Sequence, residues 1–381
     1  MFLKIMFSAG EPSGDVHGAM LAKEILKLAP QTELVGFGGE NMAKNGVALW
    51  ENLNGYNFMG VVDVVKNLRK IFRLLNRLTD LMAKERPDLL VIIDYPDFNW
   101  RLAKRAKKLG IKVFSYIPPS AWAWRKGRAK KCAKIADELA AIFPFELPVY
   151  QKAGANISFL GNPLVDTVTS SMTKSEARKH FGIGEKERGI LLLPGSRRHE
   201  INLLLPAMTE AAKKLLTIRP DTKFFLPVAQ GIDEELIKEK LSDLPVTLTH
   251  ENRYELMTAA DAAMATSGTV VLEAAILGLP CVVLYRFSAL NYFIAKRLVT
   301  VKNFSLPNII LDAPLQKELL QEAVTADNIV AEISALYEGE GHREEVLAGL
   351  KKAVALLGEK GAAGRVAAKI LAAAQNKGNT A

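Results

Sequence analysis

The sequence predicts an α/β fold with two domains, each built on a doubly wound and mostly parallel β-sheet. Short apolar runs alternate with helical patterns along most of the 381 residues, as expected when each strand is followed by a crossover helix. The alternation breaks once, at Gly161-Asn162-Pro163-Leu164, which has the composition of a linker. Two such halves facing each other would form a cleft at the carboxyl ends of their strands.

Eleven apolar runs are predicted to be strands. In the first half they are Leu3–Ser8, Glu33–Gly36, Asp88–Asp94, Ile111–Ile117, Ala140–Phe143 and Ile157–Phe159. In the second half they are Gly189–Leu193, Lys223–Pro227, Val246–Thr249, Ala262–Thr266 and Cys281–Tyr285. The uninterrupted apolar run Leu89–Ile93 is typical of a central strand that is buried on both faces. We therefore predict an N-terminal domain at 1–163, a C-terminal domain at 164–326, and C-terminal helices at 327–381 that pack on the N-terminal domain or on a partner chain.

Composition and charge exclude several classes of protein and favour a globular protein with anionic partners. Hydrophobic residues make up 49% of the chain and charged residues 24%, which is typical of a globular protein. The two cysteines, Cys132 and Cys281, suggest neither a disulfide framework nor a metal site, and they favour a reducing, cytoplasmic compartment. No apolar run is as long as a membrane span. The net charge of +9 favours anionic partners, but no signature of nucleic-acid binding is present.

A glycine turn after the strand Gly189–Leu193 predicts an anion site. The turn would place backbone N–H groups at a helix N-terminus, where the helix dipole favours negative charge. Arg197 adds a planar guanidinium suited to a phosphate. Gly195, Ser196 and Arg197 are therefore predicted to hold a diphosphate, although an ordinary strand-to-helix connection with solvated arginines would have the same pattern.

A second strand, turn and helix pattern occurs at 262–276. Ser267, Gly268 and Thr269 offer hydroxyl and N–H groups for a phosphate. Glu273, one turn into the helix, could accept hydrogen bonds from two vicinal hydroxyls, such as those of a ribose. The alternative is a capped helix whose glutamate is merely buried at its end.

Acidic residues follow two of the strands predicted in the first half. The turn after the first strand carries Glu11, Ser13, Asp15 and His17. These carboxylates could bind sugar hydroxyls or accept a proton, although Ser13 or Asp15 could simply cap the next helix. Asp94 and Asp97 follow the central strand, where they would point into the cleft or form an Asx-turn. Of these two aspartates, Asp97 is the preferred functional residue.

Three further segments combine apolar and basic residues. The first contains Trp122, Trp124, Arg125, Lys126 and Arg128, a set that could stack a sugar or cover an acyl chain while binding a phosphate. The second, Val61–Leu78, and the third, Arg286–Arg297, have patterns typical of amphipathic helices on an anionic lipid surface. For all three segments, the alternative is that the apolar side chains are core and the charges only solvated.

These stretches, taken in order, resemble the lipid-A-disaccharide synthase family, inverting glycosyltransferases of the GT-B type. The matching segments are Ser8–Asp15, Tyr95–Asn99, Ser120–Arg125, Gly161–Leu164, Leu193–Arg197, Ser267–Thr269 with Leu272–Ala274, and Ser305–Ile309. Each segment alone is weak, but the ordered set spans most of the chain. The resemblance implies two Rossmann-like domains with parallel sheets that face each other across a cleft. Pro12, where the family often has a small residue, and His17 are departures in the first turn.

The resemblance also implies a reaction in lipid A biosynthesis. The donor would be UDP-2,3-diacylglucosamine and the acceptor 2,3-diacylglucosamine 1-phosphate (lipid X), giving a β-1′,6-linked disaccharide 1-phosphate and UDP. The family uses no cofactor and no metal at the diphosphate. Lipid substrates imply a peripheral protein on an anionic membrane surface, at the inner face of the inner membrane. A homodimer is one candidate assembly.

The predicted site residues fall into three groups, of which Asn308 alone is included because it resembles a family position near the nucleotide. Asp97, Glu11 and Asp15 are candidates for the proton acceptor. The nucleotide group is Gly195, Ser196, Arg197, Ser267, Gly268, Thr269, Glu273 and Asn308. The acceptor and lipid group is Ser13, His17, Trp122, Trp124, Arg125, Lys70 and Arg73.

Two other functions remain open at this point. A UDP-sugar epimerase or hydrolase on the same two-domain scaffold would share the nucleotide site, but it would leave the apolar and basic helices unexplained. A non-enzymatic protein that binds anionic lipid or nucleic acid would not need the ordered glycine turns or Glu273.

Overall fold

The computed structural model describes residues 3–56, 67–121, 127–287, 302–338 and 341–376. The chain forms two units. Unit 1 comprises residues 1–163 together with 359–381, and unit 2 comprises residues 164–358. Each unit contains one β-sheet in which the paired strands are parallel.

Strands and helices alternate in both units. The strands of unit 1 are β1 (Lys4–Ala9), β2 (Glu33–Gly38), β3 (Ala48–Asn52), β4 (Leu89–Ile93), β5 (Lys112–Tyr116), β6 (Glu138–Ala141) and β7 (Ile157–Phe159). The strands of unit 2 are β8 (Arg188–Leu193), β9 (Thr222–Pro227), β10 (Val246–Thr249), β11 (Ala262–Thr266), β12 (Cys281–Tyr285) and β13 (Glu318–Leu320). The helices in the described part of the chain are α1 (Pro12–Leu28), α2 (Glu40–Lys44), α3 (Leu68–Glu85), α4 (Pro96–Lys108), α5 (Gly127–Ile135), α6 (Leu147–Gln151), α7 (Leu164–Thr167), α8 (Lys174–His180), α9 (Arg198–Ile218), α10 (Glu234–Leu241), α11 (Arg253–Ala259), α12 (Thr269–Ile276), α13 (Leu306–Leu311), α14 (Ala326–Glu338), α15 (His342–Ala355) and α16 (Ala362–Gln375).

The order of the strands in each sheet indicates which loops are expected to bind ligands. In unit 1 the order is β3-β2-β1-β4-β5-β6-β7, and in unit 2 it is β10-β9-β8-β11-β12-β13. The order reverses direction between β1 and β4 in unit 1 and between β8 and β11 in unit 2. Ligands of doubly wound sheets bind beside the carboxyl ends of the strands at such a reversal. The loops that follow these four strands are therefore the expected positions of ligand-binding residues.

The central strand β4 shows how the sequence pattern produces the core of unit 1. Its side chains alternate between two apolar clusters. Leu89, Val91 and Ile93 pack with residues of α1 and α16 on one face, and Leu90 and Ile92 pack with residues of α3 and α4 on the other. Because both faces are covered, no position of the strand requires a polar residue.

The C-terminal tail differs from the expectation that the helices of 327–381 pack on the N-terminal domain or on a partner chain. Helices α14 and α15 belong to unit 2, where Ile329 and Ile333 are fully buried in the core that also contains α9. Only α16 packs in unit 1, where it lies against α1 and buries Val366 and Ile370. The apolar faces of these helices match two different cores, so the tail divides between them.

Two strands are absent from the prediction, and both are short edge strands. β3 (Ala48–Asn52) carries polar residues at its end, and β13 has only three residues. In β3 the apolar residues 48–50 are followed by Glu51 and Asn52, and β13 has only two apolar residues, so both fall short of the five-residue apolar run of β4. Of the predicted amphipathic helix Val61–Leu78, the structure describes the part that begins at Leu68 as α3, and residues 61–66 lie outside the described residues. None of the helices in the described segments combines the length and the apolar composition that crossing a bilayer requires.

Candidate functional site

Unit 2 contains a cavity of about 710 Å³ at the carboxyl ends of β8, β9, β10 and β11. The predicted nucleotide residues that line it are Gly195, Ser196, Arg197, Ser267, Gly268, Thr269 and Glu273. They come from the two loops that flank the strand-order reversal, those after β8 and β11. The structure therefore brings together two stretches that are about seventy positions apart in the chain, as expected for parallel strands that are neighbours in a sheet.

The first of these loops is occupied by a carboxylate of its own chain. Glu200 Oε2 accepts hydrogen bonds from the backbone N–H groups of Ser196 and Arg197, each at 3.2 Å, and Arg197 Nη1 donates to Glu200 Oε1 at 3.1 Å. Gly195 has φ of +113°, and a Cβ atom there would lie 2.4 Å from Glu200 Oε2. The N–H groups that the sequence pattern assigns to a diphosphate are thus already bonded, because Glu200 caps its own helix.

The second loop leaves its helix N-terminus open. No side chain caps α12 in the part of the chain that the structure describes, and a Cβ added to Gly268 would meet no atom within 4 Å. The hydroxyl of Thr266 is buried without a hydrogen-bond partner among the described residues, whereas Ser267 Oγ donates to the carbonyl of Phe304 at 2.7 Å. An uncapped N-terminus offers N–H groups and a positive dipole end to an anion. The start of α12 is therefore a better anion site than the start of α9.

Glu273 is held in a small polar network on the cavity wall. Arg253 Nη2 donates to Glu273 Oε1 at 2.9 Å and to the hydroxyl of Tyr254 at 2.7 Å, and that hydroxyl lies 3.3 Å from the same oxygen of Glu273. The side chain of Glu273 is 8% exposed and that of Arg253 is 55% exposed. The carboxylate is thus fixed and charge-paired at the edge of the cavity.

Sequence reasoning missed two walls of the cavity. These are residues 227–230 after β9 and residues 250–253 after β10. His250 forms an ion pair with Glu234 at 2.6 Å when protonated. The available signal was that both loops follow the carboxyl ends of predicted strands, although neither strand lies at the strand-order reversal.

Asn308 does not line this cavity, contrary to its expected place near the nucleotide. Its side chain is buried and bonded to its own unit. Nδ2 donates to the carbonyl of Gln316 and to Glu318 Oε1, and Oδ1 accepts from the N–H of Gln316. Since its oxygen and nitrogen are both engaged, Asn308 fixes the segment around α13 rather than a ligand.

In unit 1, Asp15 is a structural residue and not a free carboxylate. Its two oxygens accept four hydrogen bonds, from the N–H groups of Gly39, Asn41 and Met42 and from the side-chain amide of Asn41, at 2.7–3.1 Å. It is 3% exposed. These bonds tie α1 to the loop after β2, so the expectation that Asp15 could accept a proton from a substrate is wrong.

The loops after β1 and β4 carry the other acidic candidates. Glu11 is the exposed N-cap residue of α1, and Asp97 is exposed in the first turn of α4. Asn99 is buried behind them. Its amide accepts a hydrogen bond from the hydroxyl of Ser8 at 2.7 Å and donates to the carbonyls of Ser8, Ile93 and Asp94. Asn99 therefore joins the carboxyl ends of β1 and β4 and positions the turn that presents Asp97.

Three residues at this edge have left-handed backbone without being glycine. Asp94, Tyr95 and Ile117, which follow the neighbouring strands β4 and β5, have φ of +45°, +50° and +57°. This conformation is strained for any residue with a Cβ, and especially for a β-branched isoleucine. Such strain is concentrated at functional sites. Burial also raises the pKa of Asp94 above its ordinary value.

Glu146 is an acidic residue that the sequence pattern did not select. It follows β6, accepts a hydrogen bond from the N–H of Phe143 at 3.3 Å, and is 2% exposed. Burial, assisted by the charge of Asp94, raises the pKa of Glu146 to about 8. The signal was available, because Glu146 follows the predicted strand Ala140–Phe143 just as Asp97 follows its own strand.

The remaining predicted residues have separate places. Ser13 is exposed in the first turn of α1. His17 packs edge-on against Tyr116, and its Nδ1 is buried without a partner among the described residues; burial lowers the pKa of His17 to about 4. Lys70 and Arg73 are exposed on α3. Trp122, Trp124 and Arg125 lie outside the described residues, as does most of the segment Arg286–Arg297.

Comparisons with known proteins agree with this architecture. A family model described as lipid-A-disaccharide synthetase matches residues 5–368. A lipid-A-disaccharide synthase of Geobacter metallireducens is 41% identical over 97% of this chain and 96% of its own length, and one of Myxococcus xanthus is 37% identical over 97% of both.

Solved structures with low sequence identity share the fold. A Listeria monocytogenes protein described as a putative UDP-N-acetylglucosamine 2-epimerase has a TM-score of 0.68 at 16% identity, covering 99% of this chain and 96% of its own. The calicheamicin glycosyltransferase CalG4 has a TM-score of 0.63 at 13% identity, covering 98% of both chains. The predicted fold class, two Rossmann-like α/β domains of the GT-B type, is confirmed.

Proposed function

This chain belongs to the lipid-A-disaccharide synthase family of glycosyltransferases, and from that premise we propose that the cavity of unit 2 binds the UDP part of its sugar donor. The proposed donor is UDP-2,3-diacylglucosamine and the proposed acceptor is 2,3-diacylglucosamine 1-phosphate. The products would be a β-1′,6-linked disaccharide 1-phosphate and UDP.

One observation carries the assignment of the donor site. The uncapped start of α12 and the fixed carboxylate of Glu273 lie one helical turn apart on the wall of the same cavity. The N–H groups of the first turn suit the diphosphate, and Glu273 suits the hydroxyls of the ribose. Arg197 would leave Glu200 and add a bidentate contact to the diphosphate.

These groups would also assist departure of UDP. Negative charge develops on the diphosphate as its bond to the anomeric carbon breaks. Donors that are already oriented stabilise such charge without reorganising at the moment of reaction. The α12 N-terminus and Arg197 are groups of this kind on this chain.

The proposed proton acceptor is Asp97 of unit 1. The acceptor 6-hydroxyl would attack the anomeric carbon on the face opposite the leaving UDP, with inversion, and transfer its proton to Asp97. Support comes from the exposed carboxylate at the strand-order reversal and from Asn99, which anchors the turn before it. Glu11, which follows the other strand of the reversal, remains the alternative.

We expect release of UDP to require the lipid acceptor. The measurement is UDP formation from UDP-2,3-diacylglucosamine in detergent micelles, with and without 2,3-diacylglucosamine 1-phosphate, and with product analysis by mass spectrometry. Release of UDP without the acceptor would favour a hydrolase. Conversion of the donor sugar to an epimer would favour the epimerase function, which has support only from the shared fold.

We also propose that unit 1 binds an anionic membrane, at the inner face of the inner membrane, through α3. Leu68 and Phe72 are each 43% exposed on this helix beside the exposed Lys70 and Arg73, whereas Leu75 packs in the core. An exposed apolar pair with basic neighbours suits the headgroup region. The substrates give a reason for such binding, because moving acyl chains into water costs about 0.8 kcal/mol per methylene.

Charge reversal on α3 is expected to weaken membrane binding. The Lys70→Glu/Arg73→Glu double variant should float with anionic vesicles much less than the unmodified protein, and its binding should depend less on salt, since basic residues contribute about 1 kcal/mol each near an anionic surface. Lys351→Glu/Lys352→Glu, the same charge change on two exposed residues of α15, is the control. Equal flotation of both double variants would exclude α3 as the binding element.

A further inference from the structure

The hydrogen bonds to the carboxylate of Glu273 all involve only one of its two oxygens. Oε1 accepts from Arg253 and lies within hydrogen-bond distance of the hydroxyl of Tyr254, whereas Oε2 has no hydrogen-bond partner among the described residues. Because Tyr254 accepts from Arg253 and donates to Glu273, the three groups form a closed triangle. One oxygen is thus fixed and the other is left for a ligand.

The triangle is held by rigid elements. Arg253 and Tyr254 are the first two residues of α11, and Glu273 lies in the second turn of α12. The guanidinium of Arg253 also lies 4.6 Å from the centre of the Tyr254 ring, a distance that suits a cation–π contact. The side chain of Glu273 is therefore oriented by two neighbouring residues at the start of α11.

Charge balance gives Arg253 a second role at this position. A lone carboxylate beside the start of α12 would repel the diphosphate that we place there. The ion pair with Arg253 compensates the charge while leaving the lone pairs of Oε2 able to accept hydrogen bonds. A nearly buried and unpaired carboxylate would also be costly to keep ionised.

We propose that Arg253, assisted by Tyr254, is a positioning residue that aims Oε2 of Glu273 at a ribose hydroxyl of the bound nucleoside diphosphate. This inference rests on the proposed donor site. It predicts that Arg253 determines selectivity for ribose, and that its contribution depends on the hydroxyl being present.

The test is a binding cycle with UDP, 2′-deoxy-UDP and 3′-deoxy-UDP, measured by calorimetry on the full chain. The unmodified protein should prefer UDP by about 10- to 100-fold over the analogue that lacks the bonded hydroxyl, as expected for a hydrogen bond to a charged group. Arg253→Met should reduce this preference to near unity, because it should lower the affinity for UDP much more than the affinity for the deoxy analogue. Arg253→Lys should restore part of the preference, and Tyr254→Phe should lose part of it.

The variants separate failure of this inference from failure of the donor site. If the unmodified protein does not distinguish UDP from either analogue, the ribose assignment and this inference are both wrong. If Glu273→Gln loses the preference but Arg253→Met keeps it, the donor site stands and the positioning role is overturned. If Arg253→Met lowers the affinity for all three ligands equally, the positioning role is also overturned. A direct contact of Arg253 with the phosphates, or a structural defect in the variant, would have that effect. Arg198→Met, a change at an exposed arginine outside the cavity wall, should keep the preference of the unmodified protein. Tyr254→Phe and Arg253→Lys carry the test if Arg253→Met does not fold.

Discussion

Replacing Asp97 by asparagine is expected to lower kcat by about 10²- to 10⁴-fold, the usual contribution of a positioned general base. Asparagine keeps the size of the side chain and its oxygen in the first turn of α4, but it cannot take the proton of the attacking hydroxyl. The affinity for UDP should change little, because the proposed nucleotide site lies in unit 2. The measurements are steady-state turnover with both lipid substrates and calorimetric binding of UDP.

Three other variants make this prediction specific. Asp80→Asn, at an exposed position of α3, should retain activity and controls for the loss of a surface charge. Glu11→Gln tests the alternative base, and Asp94→Asn tests the carboxyl whose pKa burial raises. Near-normal turnover of Asp97→Asn together with a large loss in either of these two would transfer the role of base to that residue.

Replacing Glu146 by glutamine is expected to change how stability depends on pH. The pKa of Glu146 rises from its usual value of 4.5 to about 8 in the folded protein because the side chain is buried. Between these values the unfolded chain releases the proton while the folded chain retains it. Stability of the unmodified protein therefore falls as pH rises through this window, by at most about 1.4 kcal/mol per pH unit. Glutamine, which does not titrate, removes this slope.

The measurement is the difference in thermal midpoint between Glu146→Gln and the unmodified protein, from pH 4.5 to 8. The difference should grow in favour of the variant as pH rises. His17, whose lowered pKa makes stability rise with pH between about 4 and 6.5, is present in both proteins and cancels. Glu210→Gln, at an exposed position of α9, should show no such trend. A difference that is constant with pH would mean that Glu146 is ionised in the folded protein.

The sequence predicted most of the strands and which loops after them lie close together. Strands such as Val246–Thr249 and Ala262–Thr266 were predicted at their observed bounds. Parallel strands collect their following loops at one edge, so the pattern of strands and turns was enough to group the residues after β8 with those after β11. The short strands β3 and β13 were not found in this way, because β3 ends in the polar residues Glu51 and Asn52 and β13 has only two apolar residues.

The failures concern residues whose role depends on partners far along the chain. Asp15 has the sequence context of a catalytic turn, but its four donors come from residues 39–42. Asn308 is engaged by Gln316 and Glu318. A pattern shows the type and spacing of side chains but not which hydrogen bonds are already formed. Glu200 could be predicted in part. A glutamate at the third helical position suggests capping, but only the distances show that it binds the N–H groups of the loop after β8.

The division of unit 1 between two chain segments has a consequence for synthesis on the ribosome. The core that contains Ile25 and Val91 is covered in part by α16, which follows unit 2 in the chain. Unit 2, in contrast, is one continuous segment. Unit 2 can therefore complete its core before α16 has been synthesised and can pack on unit 1. During that interval the apolar residues of α1 that pack against α16 lack their partner, and we expect the nascent chain to be more prone to aggregation.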